Sequence, residues 1–330
     1  MSRSYYIFTP VILLCLFFNF LVFKNYMLQY PIIGEFNQNQ RSETVLNKLL
    51  QSDNFIPNIT ITALPLNVLK ADYLHSFGRN SEALELLNTK TNDNPYLMYN
   101  EIVKSKIFTS LKILDSAKFY SDIAFTTLPN NTEAFKDLAI VYGVNKDIEG
   151  LFDLFLLSRH NSNLNFWKIF LSTCLATDVN LNDKITDYID QNYFNVDDEE
   201  VHGLMDNVLF GKENIDISQS LILEAQQYFK DEDYANAALN FEKSLKYNPN
   251  QYSSYENAAL AYLNLKKYDK GIVFYERLVD KFPAISAKSK YYYAIFLSET
   301  GDTKKACQYL SQSIKENYSP SFLLHKNICK

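Results

Sequence analysis

Apolar residues recur along most of this chain at the spacing of one helix face, in short blocks separated by polar turns. The blocks themselves repeat. Ala71, Ser105 and Ala139 stand 34 residues apart, as do Ala83 and Ala117. In the C-terminal half Tyr228 and Tyr262, Ala225 and Ala259, and Phe241 and Tyr275 keep the same step of 34. Ala259 to Ala294 and Gly271 to Ala306 are 35 apart, a one-residue slip that falls in the turn after Pro283. Pro95 and Pro129, and again Pro249 and Pro283, share the 34-residue interval. Each closes a block, because proline cannot donate the intrahelical hydrogen bond. A period of this length predicts an all-α solenoid of stacked antiparallel helix pairs, each pair burying its apolar face on the next. The small residues mark where two helices cross closely, and the large ones fill the groove beside them.

These residues resemble the tetratricopeptide repeat. The segment from Ser218 to Gln251 supplies Ala225, Tyr228, Ala237, Phe241, Ser244 and Pro249 at that family's small, aromatic and proline positions. The next supplies Ala259, Tyr262, Gly271, Tyr275 and Pro283, and a third, one residue late, gives Ala294, Leu297, Gly301, Ala306, Leu310 and Ser313. Upstream, Ala71, Leu74, Gly78, Ala83, Leu87 and Pro95 form a repeat, followed by Ser105, Phe108, Ala117, Ala124 and Pro129. A further one keeps Ala139 and Tyr142 but has Leu151 at a small position and Asn163 at the proline position. The resemblance implies an N-terminal array over 64–165 and a C-terminal array over 218–320, with a tail or cap at 321–330.

Between the arrays, 166–217 lacks the period yet reads as helical over Phe166–Ala176, Lys184–Phe194 and Glu199–Phe210. This stretch is expected to continue the solenoid as degenerate repeats. It carries 11 Asp or Glu against 3 Lys, more than the whole chain's net charge of −6. The run Asp197, Asp198, Glu199, Glu200 fits a solvated helix start, stabilised by the helix dipole.

Tyr5–Phe23 is 19 residues without a charge, long enough to span a bilayer, so 1–30 is expected to be a membrane anchor. Tyr5, Tyr6, Tyr26 and Tyr30 suit the two headgroup regions, and Lys24 can snorkel outward. A cleaved secretory signal would need a shorter apolar core and small residues before its cut, and the run from Lys24 to Pro31 has no small pair, which favours an uncleaved anchor. Arg3 ahead of the span favours a cytoplasmic N-terminus, with the solenoid on the periplasmic or lumenal side. The polar, Asn/Gln-rich run from Pro31 to Arg41 reads as a tether, leading into a short helix before 63.

A net charge of −6 and an acidic balance argue against nucleic acid, whose binding needs a basic surface. Cys15 falls in the span. Cys174, Cys307 and Cys329 show no metal or redox spacing and are expected as buried thiols. The eight glycines form no phosphate-cradling loop, no hydrolase or metalloprotease motif occurs, and the four histidines are scattered. No catalytic, cofactor or metal site is therefore expected. The densest cluster, Glu199, Glu200, His202 and Asp206, reads as ordinary helix pairing, and an enzyme site there is the remote alternative. Trp167 is expected to pack in the middle stretch.

Binding remains. The family resemblance implies a concave groove lined by first helices, which in the C-terminal array would present Gln226 and Lys230, then Asn257, Leu260 and Asn264, then Lys288, Tyr291, Tyr292 and Ile295 to a protein or peptide partner. Amide side chains can bond a peptide backbone, and tyrosines give contact area at small entropic cost. Family members that grip a chaperone's C-terminal carboxylate use a lysine and asparagines in set places. Here Ile222 and Gln226 occupy the first two and only Asn264 and Lys288 match, so no carboxylate-clamp chaperone partner is expected. A looser resemblance, carried by the runs Asn94–Glu101 and Asp115–Tyr120, is to soluble tails of bacterial membrane enzymes that polymerise or ligate surface polysaccharide. It implies an accessory role in such machinery.

Overall fold

A computed structural model describes residues 4–38, 40–51, 60, 63–89, 94, 96–158, 163–177 and 181–329. Pro95, Arg3 and His160 fall outside them, as do the side chains of Tyr5 and Tyr6. Among the described residues there are 18 α-helices and no strand, as the period predicts. The chain forms two compact units, Met1–Thr177 and Asp178–Lys330.

The first unit holds α1 (Ser4–Asn37), α2 (Glu43–Gln51), α3 (Leu66–Ser76), α4 (Asn80–Asn88), α5 (Tyr99–Ser110), α6 (Leu114–Thr127), α7 (Thr132–Val144), α8 (Ile148–Ser158) and α9 (Leu164–Thr177). The second holds α10 (Asp183–Asn192), a 3-10 turn at Tyr193–Asn195, α11 (Glu199–Phe210), α12 (Lys212–Lys230), α13 (Tyr234–Tyr247), α14 (Tyr252–Asn264), α15 (Tyr268–Lys281), α16 (Ala287–Glu299), α17 (Thr303–Lys315) and α18 (Pro320–Ile328). Six hairpins result, three in each unit: α3/α4, α5/α6 and α7/α8, then α12/α13, α14/α15 and α16/α17. Successive hairpins stack in chain order within their unit. The small residues at the crossings, Ala71, Ser105, Ala139, Ala225, Ala259 and Ala294, are all 0% exposed.

One backbone device closes every hairpin. Gly78, Lys112 and Lys146, then Glu232, Lys266 and Gly301, have positive φ and follow the first helix at the repeat interval. In each turn the left-handed residue donates its N–H three residues back, and the next residue donates five back. That is the Schellman pattern, which satisfies carbonyls left open at a helix end. The acceptors of the longer bonds are Leu74, Phe108, Tyr142, Tyr228, Tyr262 and Leu297, the large residues of the sequence period. Large side chain and turn therefore recur together because both sit on the last turn of the first helix. Second helices open on side-chain caps in several repeats. Asp233 accepts from Asn236 N, and Asp302 from Lys305 N.

Three expectations are corrected. Residues 31–37 are not a tether: α1 runs unbroken to Asn37 with Pro31 inside it, and its last turns pack on the first unit. Gln29 and Ile32 are buried, Phe36 meets the Tyr99 ring at 5.7 Å, and Tyr73 Oη donates to Glu35 at 3.0 Å. The polar composition hid a helical face made by Gln29, Ile32 and Phe36. Second, 166–217 is not one segment. Its helices fall where expected, but α9 closes the first unit while α10 and α11 open the second. Third, Cys307 and Cys329 are not thiols: they form a disulfide with Cα atoms 5.7 Å apart, which ties the end of α18 to α17. Their 22-residue separation matches no short redox motif, and only the return of α18 onto α17 brings them together. Cys174 is buried as expected, its thiol pushed up to about 12 by burial. Trp167 packs edge-on against Phe155 at 4.6 Å.

Candidate partner-binding surfaces

In the second unit Gln226 and Lys230 stand exposed on α12, while on α14 Asn257 and Leu260 are half-buried and Asn264 is exposed. The Asn264 amide donates to the Leu260 carbonyl at 2.9 Å, so part of its capacity is already used within the helix. On α16 Lys288 is exposed, and Tyr291, Tyr292 and Ile295 are half-buried. Three of these four residues meet at the Tyr292 ring. The Tyr291 and Tyr292 rings lie 5.2 Å apart, and the Lys288 ammonium sits 5.9 Å over the Tyr292 ring. Tyr318, which the period does not reach, adds a third ring 5.4 Å from Tyr291. It arrives from the turn between α17 and α18, and no repeat position could have indicated it.

Beside this aromatic cluster, α14 and α16 are joined through hydroxyls. Tyr252 Oη bonds Ser289 Oγ at 2.7 Å and accepts the Ser286 N–H at 3.0 Å, and Ser289 Oγ also bonds the Glu256 carboxylate. Ser286 caps α16. Tyr275 Oη is buried without a hydrogen-bond partner. Burial raises its pKa most, and the fields of Glu256, Tyr252, Tyr292 and Tyr318 add to it. A buried donor left unpaired costs about 1–3 kcal/mol. This one lies near the tyrosine cluster.

The acidic cluster of the middle stretch has a structural explanation. Asp206 is buried and accepts from the side-chain amides of Asn248 and Asn250, each at 2.9 Å, fastening α11 to the proline joint after α13. His202 stacks on the Tyr193 ring at 4.6 Å, and its Nε2 lies 2.9 Å from the Tyr193 carbonyl. Glu199 and Glu200 are exposed at the start of α11, where Asp198 caps the Val201 N–H. Among the described residues no group of acid, histidine and cysteine side chains is placed to hold a metal ion.

In the first unit, charged groups line successive first helices. The Arg41 guanidinium bonds the buried Asp72 carboxylate, and Lys106 of α5 bonds Glu133 of α7 at 2.9 Å. Asp137 Oδ2, also buried, has no hydrogen-bond partner, and burial pushes that carboxyl up to about 7 against the pull of Lys106. Further along, α7 and α9 enclose an apolar groove of about 480 Å³ lined by Lys136, Ile140, Val144, Lys168, Ile169 and Ala176. The sequence period did not indicate it, because α9 lacks the repeat's marker residues.

No family model matches the chain, and no curated protein matches it. Solved structures do. The APC/C hetero-tetramer Cut9–Hcn1 is 14% identical over 87% of this chain with a TM-score of 0.32, and the chain spans about half, 52%, of that one. The TPR2AB-domain:pHSP90 complex of yeast Sti1 is 14% identical over 71% of this chain and 98% of its own, TM-score 0.33. PilF of Pseudomonas aeruginosa is 14% identical over 79% of this chain and 94% of its own, TM-score 0.27. At these values the tetratricopeptide-type architecture rests on the chain's own hairpins, turns and period. Neither a family model nor a curated protein supports the resemblance to polysaccharide-enzyme tails.

Proposed function

We propose that this chain is a membrane-anchored scaffold that binds a protein partner along the first helices of its C-terminal array, without catalysing a reaction. One observation carries the reading: Tyr291, Tyr292 and Tyr318 converge within ring-contact distance on that array, next to the unpartnered Tyr275 hydroxyl. Clustered tyrosines offer rigid contact area with polar rims, and Asn257 supplies an amide for a bound backbone.

Anchoring is supported by α1. The stretch from Phe8 is apolar enough to cross a membrane, and Phe8, Leu13, Phe17, Phe20 and Phe23 are all exposed, an arrangement that suits lipid and not water. Cleavage after the apolar stretch would cut a helix whose far end is packed on α3 and α5, which favours retention of the whole of α1. The Cys307–Cys329 bond fits an oxidising compartment for the second unit, in keeping with an N-terminus on the cytoplasmic side.

Affinity purification of the detergent-solubilised protein tests the groove. A variant carrying Asn257→Ala, Asn264→Ala and Tyr292→Ala should lose the partners that the parent retains. Recovery of the same partners with both would refute the assignment.

A further inference from the structure

The hairpin turns of the two units share a backbone and differ in what they expose. In the first unit Phe77 precedes the left-handed Gly78, Leu111 and Ile113 flank the left-handed Lys112, and Val144 stands two residues before the left-handed Lys146. These four large apolar side chains are 40%, 43%, 46% and 56% exposed. Leu175, in the last turn of α9, is exposed too. The last turns of α7 and α9 meet, since a Cβ on Gly143 would lie 2.6 Å from the Thr173 methyl and 2.8 Å from that of Thr177. Leu175 therefore extends the row. With successive first helices about 8–10 Å apart, the row runs about 25–30 Å along one edge of the unit. The second unit supplies the contrast. Its turns Asp231–Asp233, Leu265–Lys267 and Thr300–Asp302 have the same left-handed geometry, yet Leu265 is half-buried and their other residues are polar or Gly. Apolar side chains exposed singly need no explanation, whereas a row recurring from turn to turn marks a surface that meets something.

The unit with the apolar row is also the one that carries α1. Phe23, Tyr26, Met27 and Tyr30 are exposed while Gln29 and Ile32 are buried, so the packed part of α1 begins within about 5 Å, one helical turn, of the part suited to lipid. A body held that close brings one face into the headgroup region. The order of contacts along α1 selects the face. Phe36 meets the ring of Tyr99, the first residue of α5, whereas Ile32, one turn nearer the apolar stretch, accepts from Tyr73 Oη at 3.4 Å in the second half of α3. Followed toward its apolar stretch, α1 thus passes from the opening of the first helices toward the end where they turn back. That end bears the row. Lys112 and Lys146 are exposed within it, and Asp147 is turned back to accept the Gly150 N–H at 2.9 Å.

We infer that the hairpin-turn edge of the first unit lies on the bilayer that α1 crosses, with Phe77, Leu111, Ile113, Val144 and Leu175 at the boundary of headgroups and acyl chains and Lys112 and Lys146 meeting lipid phosphates. This rests on the reading of α1 as a membrane span. Shallow burial of the apolar row supplies the attraction, and the ammonium groups add to it at the phosphate level.

The test reads depth with nitrobenzoxadiazole on an introduced cysteine, in full-length Cys15→Ser protein reconstituted in vesicles of phosphatidylethanolamine and phosphatidylglycerol. Cys174 is buried and Cys307 is bonded to Cys329, so the dye goes to the new site. Three sites are compared: Ile113→Cys on the edge, Lys267→Cys at the matching turn of the second unit, and Phe17→Cys in α1. A phospholipid with a nitroxide at the fifth acyl carbon should quench the dye at 113 about twofold or more over the dye at 267, and a nitroxide at the twelfth carbon should quench the dye at 17. Adding Leu111→Asp and Val144→Asp should abolish the excess at 113 while leaving position 17 and the melting curve unchanged. Quenching at 17 with no excess at 113 over 267 would overturn the inference and leave the anchor standing. Absence of quenching at 17 would remove the anchor and the inference with it. An excess at 113 that survives the double variant would also overturn it, because the apolar row would not be its cause.

Discussion

Arg41 donates from both Nε and Nη2 to one oxygen of Asp72, at 2.9 and 2.6 Å, while its guanidinium lies 5.0 Å from the Phe36 ring and 5.0 Å from that of Tyr73. Phe36 belongs to α1, and Asp72 and Tyr73 to α3. A single side chain thus joins the end of the apolar helix to the first hairpin, and a joint replaces the expected linker. Removing the cation leaves a buried carboxylate without its partner, which costs about 3–5 kcal/mol. Arg41→Ala should therefore lower the melting temperature of the solubilised protein and open the chain near 40–42 to protease. Arg41→Lys should restore little, because a lysine neither stacks between two rings nor offers a planar fork.

Gly271 occupies the small position of its hairpin, and a Cβ there would lie 2.3 Å from Phe296 Cε1. Phe296 is fully buried against Tyr275 and cannot yield. Gly271→Ala should destabilise by about 1–3 kcal/mol through overpacking. Gly203→Ala, on α11 with nothing within 4 Å of its Cβ, should stabilise by up to about 1 kcal/mol through helix propensity. Chemical denaturation of the two variants side by side checks the pair.

The hairpins were legible because the 34-residue step reports three requirements at once: a small residue at the crossing, a large residue over the Schellman turn, and a proline at the joint. The helices of the middle stretch were legible too, from apolar residues at helical spacing, and the structure adds the side-chain caps Asn182 and Asp198 at the starts of α10 and α11. What escaped were contacts between elements that no period relates. Arg41 with Asp72, Cys307 with Cys329, Asp206 with Asn248 and Asn250, and Tyr318 with Tyr291 each join a repeat to something outside it. On α16 the Tyr292 ring meets both the Tyr291 ring and the Lys288 ammonium, and Ile295 is half-buried. For Gln226 and Lys230 the structure adds only their exposure on α12.

Burial holds the Asp137 carboxyl at about 7, above its ordinary 3.8. Between those values the folded chain keeps a proton that the unfolded chain has released, so stability falls as pH rises through the window and levels off above it. Asp137→Asn should remove that fall, gaining on the order of 1 kcal/mol or more above the window and little below it. Melting temperatures on either side of 7 for parent and variant give the comparison.

The disulfide closes a loop that contains the whole of α18, and by chain entropy it should contribute about 3 kcal/mol. Reduction, or Cys307→Ser, should raise amide hydrogen exchange in α18, including the Ser321 N–H, whose hydroxyl meets that of Ser313 at 2.7 Å. Exchange in α3–α8 should be unchanged.

Site-specific photocrosslinking reports most directly whether first helices of the C-terminal array hold a partner. A benzophenone residue placed at Tyr292, with a control at Leu239 of α13, which is 45% exposed, is introduced into the full-length protein and irradiated in membranes of its source cells. A discrete adduct with one protein at position 292, missing at 239, is the expected outcome. Identical adducts at both positions, or none at 292, would contradict it.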